Sequence, residues 1–338
     1  MSRSGGWKAR LRAGIAMGAR RSGWLAAAER ASRASLTVLC YHRILPTMQR
    51  DAYHDPGLVV TPEVFDRHCR IMAARYTVAP LEVALMRWSG GERPRKPLAA
   101  ITFDDGYRDN ARYAAPILEE HALRGTFFVI AGLVDSDQVP WYDAAGAAWN
   151  MLARTGDLPK NAGTARQALE RAKQMPPRER LAWVRELVHR SGFVSMEEED
   201  LIMSSQQIRE LAAAGHEIGS HSMTHPILPQ CDHQSLQHEI AESRARLVAI
   251  SGQTVRGLCY PNGDYDTRCH TLAVRSGYTY ATTMLPGLNL PYSFDTLSVR
   301  RWFIEQDRLS DASGHPCDAL FRMEVCGMAQ RVFRRGAA

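Results

Sequence analysis

The chain has 338 residues, enough for one large domain or two ordinary ones, and at 45% hydrophobic and 23% charged its composition excludes a disordered or fibrous protein. The net charge of +6 is unevenly held: residues 1–34 carry Arg3, Lys8, Arg10, Arg12, Arg20, Arg21, Arg30 and Arg33 against Glu29 alone, a balance of +7 that leaves −1 for everything after them. No run reaches the ~18 apolar residues that span a bilayer, and seven cysteines without a CxxC pair argue against a disulfide scaffold. Cytoplasmic residence is expected, soluble or peripheral at the inner membrane.

The basic arm comes first. Its least polar stretch, "AGIAMGA" (13–19), is short and runs straight into Arg20 and Arg21, unlike a secretory leader. Trp7, Leu11, Ile15, Trp24 and Leu25 among arginines leave two readings open: a basic amphipathic helix on an anionic membrane surface, or a merely Arg-rich helix that is solvated or packed on the barrel. Nucleic acid is not expected as a partner, because the body is neutral and no recognition motif accompanies the charges.

Beyond the arm, seven short apolar runs alternate with segments of helical period. The runs are "LTVLCYH" (36–42), "PLAAITF" (97–103), "GTFFVI" (125–130), "HEIGSH" (216–221), "VRGLCYP" (255–261), "YTYATTM" (278–284) and "SVRRWFI" (298–304). Helices are expected at 61–76 (Thr, then Pro at the first helical position), 110–123, 205–215 (serine cap, glycine stop), 234–252 and 266–277. Strands that are apolar throughout, each followed by a helix, predict an α/β fold with a parallel sheet covered on both faces. Whether it closes into a barrel or stays open is not decided by the pattern. Residues 136–203 break the rhythm and read as a helical insertion after the third strand, where α/β folds build specificity. Residues 306–338 read as a polar C-terminal tail.

Polar residues gather at the carboxyl ends of the strands, where α/β folds bind ligands. His42 ends the first strand; Asp104 and Asp105 end the second; His221 ends the fourth, with His225 four residues on in "HSMTH"; "YPNGDYD" (260–266) ends the fifth. Histidines at i and i+4 share one face of a helical turn and can converge on one ion. Two imidazoles and one carboxylate would leave positions open for water and substrate, as catalytic metal sites do. "DDG" alone is good turn chemistry. A cation taken by one aspartate would remove the repulsion and free the other as a base, with Gly106 relieving the turn of a Cβ.

"TFDDG", "HSMTH" and "YPNGDYD", in that order, resemble the first three motifs of the polysaccharide deacetylases of carbohydrate esterase family four. "VLCYHRI" and "SVRRWFI" resemble flanking pieces of its exopolysaccharide branch, which acts on N-acetylglucosamine polymers. The likeness spans roughly residues 36 to 305, apart from the helical insertion 136–203, and implies a distorted (β/α)7 TIM-like barrel over 35–305, preceded by the arm 1–34. It implies Asp104 as catalytic base and Asp105, His221 and His225 as ligands of one divalent ion, Zn²⁺ by preference with Co²⁺, Ni²⁺ or Mn²⁺ as alternatives. It also implies an oxyanion and substrate site at Tyr260, Pro261, Asn262 and Gly263, the key donor being the backbone N–H nearest Asn262.

Two departures stand out. Cys259 occupies a position where the family often has an arginine that orients the base, so Arg301, or its neighbour Arg300, is the candidate to supply that charge. The family's final motif with a histidine acid is missing, and His315 lacks its strand context. His42 is therefore the expected proton donor, against the alternative of a structural histidine. The expected reaction is hydrolytic removal of an acyl group from an N-acylated amino-sugar glycan of a bacterial surface, or from its lipid-linked precursor. The rival is a catalytically inactive carbohydrate-binding relative.

Overall fold

The computed structural model describes residues 3–194 and 198–333. Helices α1 (Arg3–Arg21) and α2 (Trp24–Ala31) lead into β1 (Thr37–Tyr41), β2 (Arg43–Ile44), α3 (Thr47–Ala52), β3 (Val59–Val60), α4 (Pro62–Arg75), β4 (Thr77–Val78), α5 (Leu81–Ser89), β5 (Leu98–Phe103), α6 (Ala115–Glu120) and β6 (Thr126–Val129). The insertion follows as α7 (Trp141–Thr155), α8 (Ala165–Lys173) and α9 (Pro177–Ser191). The chain then forms α10 (Ser205–Ala213), β7 (Glu217–Ser220), α11 (His233–Gln237), α12 (Ser243–Ser251), β8 (Gly257–Cys259), α13 (Thr267–Arg275), β9 (Tyr280–Thr282), β10 (Trp302–Phe303), α14 (Asp318–Val325) and α15 (Met328–Phe333).

All seven apolar runs become strands of one curled parallel sheet, in the order β10-β1-β5-β6-β7-β8-β9, with β4 added on β5. Strands β1, β5, β6 and β7 are buried along their whole length, which is why β1, β5 and β6 read as apolar with little alternation, while β7 buries Glu217 against the hydroxyls of Thr126 and Tyr280. The two ends of the curl meet through one segment: Val299 bridges Thr282 of β9, and Trp302 pairs with Leu39 of β1. The architecture is the distorted (β/α)7 barrel, with every strand delivering its carboxyl end to the same rim. Strand β4 and the small β2–β3 pair carried no pattern in the sequence, because two residues cannot display a period.

Two expectations need correction. Residues 306–338 are not a polar tail over their described part, since α14 buries Ala319, Leu320, Phe321, Met323 and Val325 in the main core. Its Phe321 ring stacks on His68 of α4 at 3.9 Å, and burial lowers the His68 pKa to about 3, so the imidazole is neutral there. Second, "HSMTH" is not a helical turn: Ser222 and His225 have φ of 66° and 58°, and the loop is held instead by Glu239, which accepts from the backbone N–H groups of Met223 and Thr224 at 2.9 Å each. The basic arm packs on the body, one of the readings its sequence left open. Ala16, Ala19 and Leu25 are buried, and Glu29 of α2 accepts from Arg322 of α14 at 2.8 and 2.9 Å. The insertion is helical as expected and owns a separate apolar core of Ala145, Ala148, Trp149, Leu169, Val184 and Leu187. Among the described residues no helix is long and apolar enough to cross a membrane.

Candidate active site

Strand β5 runs into the site because Asp104 N–H still donates to Tyr41 O at 3.0 Å, one step beyond the strand. Asp105 (φ 70°) and Gly106 (φ 81°) then turn the chain through two left-handed residues. For an aspartate that conformation costs energy and marks a position held by its surroundings. A Cβ at Gly106 would come within 2.9 Å of the Val129 Cα, so the glycine makes room against β6 rather than beside the ligand atoms. His221 N–H closes on Val129 O at 2.9 Å at the end of β7, while a Cβ on Gly132 would meet Met223 O at 2.4 Å. Two glycines thus let the Asp-Asp turn and the histidine loop both pack closely on the segment 129–132 at the end of β6.

Asp105, His221 and His225 converge. Asp105 Oδ1 lies 3.4 Å from His221 Nε2 and 3.6 Å from His225 Nε2, and all three side chains are buried. That oxygen is buried without a conventional hydrogen-bond partner among the described residues. Such an orphan is expensive unless something positive occupies the space between the three groups. One carboxylate oxygen and two imidazole nitrogens suit a borderline divalent ion and leave coordination positions open. His221 Nδ1 sits 2.7 Å from Cys259 O, which fixes the ring with Nε2 toward Asp105. Burial opposes charge on this ring, but Cys259 and the two aspartates push its pKa well up, so an ion bound at Nε2 would displace a proton. Burial opposes ionisation of Asp105, but the close approach of His221 and the nearby His42 and His225 outweigh it and hold the carboxyl at about 2. Burial and then His221 lower the His225 pKa to about 3, so that ring is neutral and able to ligate.

Asp104 faces a different partner. Arg301 grips it in a fork, Nη1 to Oδ1 at 2.6 Å and Nη2 to Oδ2 at 2.7 Å, and also donates to Thr102 Oγ1 and Thr283 O at 3.1 Å. The same Nη2 lies 3.2 Å from Cys259 Sγ, so the guanidinium reaches the place where the sequence has a cysteine instead of an arginine. Arg300 points elsewhere, toward Pro286 O at 3.4 Å. Burial raises the Asp104 pKa, yet Arg301 overrides it and holds the carboxyl well below the usual range. Cys40 Sγ completes the surroundings at 3.4 Å from Oδ2. The adjacent aspartates therefore sit in distinct environments, one against a cation fork and one against two imidazoles.

His42 reaches the same centre. A ring nitrogen, Cys40 Sγ and an Asp104 oxygen lie within 4.8 Å of one another, Phe303 packs edge-on against the ring at 5.4 Å, and His42 Nδ1 is buried with no partner among the described residues. His315 is 79% exposed in a turn closed by Asp311. In the third motif, Tyr260 N–H is used by Thr282 O at 3.2 Å, Gly263 N–H by Tyr260 O at 2.8 Å, and Pro261 has none. The Tyr260 ring stacks on Tyr265 at 4.8 Å, which gives it a structural place. Asn262 stands out with φ 56° and a side-chain Nδ2 that is buried without a partner among the described residues. A Cβ at Gly263 (φ 79°) would come 2.5 Å from Met284 N, so only glycine permits this turn.

The sequence reading missed the first turn of α7. Trp141 Nε1 donates to His225 O at 3.2 Å, and the Tyr142 ring meets the His225 ring at 4.9 Å. Asp143, fully buried, accepts from Tyr53 OH, from Tyr107 OH at 2.7 Å and from His54 Nε2 at 2.8 Å. "WYD" was visible as an aromatic and acidic cluster in the insertion, but nothing local tied it to a histidine 84 positions away.

With this geometry in hand, residues 91–281 match the family described as Polysaccharide deacetylase. YxkH of Bacillus subtilis (strain 168), a candidate polysaccharide deacetylase, is 23% identical over 256 residues, 75% of this chain and 66% of its own. A chitooligosaccharide deacetylase of Sinorhizobium fredii (strain NBRC 101917 / NGR234) is 33% identical over 73 residues, 21% of this chain and 34% of its own. The chain thus spans less than two thirds of either relative. Among solved structures, the Streptococcus pyogenes deacetylase PplD in complex with acetate superposes with a TM-score of 0.57 at 20% identity, over 83% of this chain and 96% of that one, a likeness of fold.

Proposed function

Since the chain belongs to the polysaccharide deacetylase family, we propose that it hydrolyses the N-acyl group of an amino sugar with Asp104 as base and one divalent ion, Zn²⁺ by preference, held by Asp105, His221 and His225. The observation that carries this reading is the pairing of an Arg301-clamped carboxylate with an adjacent buried carboxylate whose oxygen is orphaned among two imidazole nitrogens. The ion, when bound, would supply Lewis acidity toward water and the amide carbonyl.

The chain's own groups account for the rest. Asp104, kept ionised by Arg301, takes a proton from the attacking water as its oxygen adds to the amide carbon. The oxygen that becomes negative is met by the backbone N–H nearest Asn262, the donor the family resemblance implies, at the turn whose Asn262 Nδ2 is also unpartnered among the described residues. His42, with a ring nitrogen within 4.8 Å of an Asp104 oxygen, returns a proton to the sugar nitrogen as the C–N bond breaks, giving a free amine and a carboxylic acid. The chitooligosaccharide specificity in the name of one relative supports an N-acetylated amino-sugar glycan, or its lipid-linked precursor, as the substrate class. The exposed basic face of α1 supports work at an anionic membrane surface.

The test is release of primary amine from N-acetylated chitooligosaccharides by the full chain. Release should vanish after a chelator and return with Zn²⁺ or Co²⁺. Turnover that survives complete removal of metal contradicts the reading; no release under any metal, with the ion bound, favours a non-catalytic sugar-binding relative.

A further inference from the structure

The two histidines that converge on Asp105 are supported differently. His221 has a polar anchor, its Nδ1 at 2.7 Å from Cys259 O, the usual way an imidazole ligand is oriented. His225 has none: its Nδ1 is buried and meets no hydrogen-bond partner among the described residues. Its backbone is also in the left-handed region, φ 58°, a conformation that a non-glycine residue keeps only when its surroundings hold it. Within its own loop only the backbone is tied, His225 N–H donating to Ser222 Oγ at 3.0 Å; the contacts on its carbonyl and on the back of its ring come from the insertion. Trp141 Nε1 donates to His225 O at 3.2 Å, and the Tyr142 ring packs against the imidazole at 4.9 Å with the planes 64° apart.

Those two aromatics are themselves fixed. Arg180 of α9 lies over the Trp141 ring at 5.1 Å. Asp143, next in sequence, is bolted to the barrel by Tyr53, Tyr107 and His54, and Tyr107 OH lies 3.4 Å from Tyr142 OH. A Cβ at Gly146 would come 2.4 Å from His54 Cγ, so this glycine of α7 allows the helix to seat.

We propose that Trp141 and Tyr142 are the positioning residues of His225, so that retention of the ion depends on a helix inserted outside the barrel rather than on the barrel alone. The inference rests on the metal reading given above. A hydrogen bond orients one imidazole, and an aromatic clamp replaces it for the other. Outer groups of this kind typically govern about 10- to 100-fold in metal affinity.

The experiment is the dissociation constant of Zn²⁺ or Co²⁺ for the full chain by competition with a chromophoric chelator, with the melting temperature of each metal-free variant as a control for folding. Tyr142→Ala and Trp141→Phe should weaken binding about 10- to 100-fold at an unchanged metal-free melting temperature, and Tyr142→Phe, which keeps the ring, should stay near wild type. If Tyr142→Ala does not fold, Tyr142→Leu, which keeps the bulk and loses the aromatic edge, replaces it in the comparison. Wild-type affinity in folded Tyr142→Ala or Tyr142→Leu, and in Trp141→Phe, overturns this inference alone. A wild-type chain that takes up no more ion than His221→Ala overturns the metal reading and this inference with it.

Discussion

Arg301 shows how a required charge can move in sequence while staying in place in space. Its guanidinium arrives from the segment that closes the barrel and lies 3.2 Å from Cys259 Sγ, with both Asp104 oxygens in its fork. Burial alone would raise the Asp104 pKa, and Arg301 reverses the sign. Removing the cation takes away the largest opposition to burial, leaving only the weaker pull of His221 and His42, so the base would protonate at a higher pH than in the wild type. In Arg301→Gln the acid limb of the kcat/KM profile should therefore move upward in pH, and unfolding free energy should fall by about 3–5 kcal/mol because a buried carboxylate is left unpaired. Arg301→Lys, which keeps the charge without the fork, should recover part of both; an acid limb that does not move in Arg301→Gln would show that another group sets it. At this scale the sequence was legible where residue type and spacing are diagnostic, as for Asp104, Asp105, His221 and His225. It was silent for Tyr142 and Asp143, whose significance exists only once distant segments meet.

Among the elements, the long strands were readable because full burial demands continuous apolar runs, whereas β2, β3 and β4, of two residues each, carry too little pattern. The histidine loop was misread because spacing i, i+4 suits a helical turn, but left-handed Ser222 and His225 reach the same convergence without one. Helix α14 was hidden by the charged residues around it, though "ALFRMEV" supplies a nearly continuous buried face. Helix α1 joins the two readings of the arm: Ala16 and Ala19 are buried, while Trp7 (58% exposed), Leu11 (53%) and Ile15 (37%), spaced by four residues, stay outside beside exposed Lys8 and Arg10. An apolar stripe flanked by cations fits an anionic lipid surface. The full chain should co-sediment with phosphatidylglycerol vesicles, not with phosphatidylcholine ones, and Trp7→Ser with Leu11→Ser should abolish this. Equal recovery with both lipids, or undiminished binding by the double variant, would contradict that role.

For the molecule as a whole, two parts are added to a near-neutral barrel that carries Asp104, Asp105, His221 and His225: the basic arm packs on α14, and the insertion reaches His225 through Trp141. The central claim is that the adjacent aspartates divide the work, Asp105 holding the ion and Asp104 moving the proton. The most direct measurement is amine release per bound metal ion in Asp104→Asn, with occupancy determined by elemental analysis on the same sample. The division of labour predicts wild-type occupancy with release lowered by about 10²- to 10⁴-fold; near-wild-type release at full occupancy would contradict it.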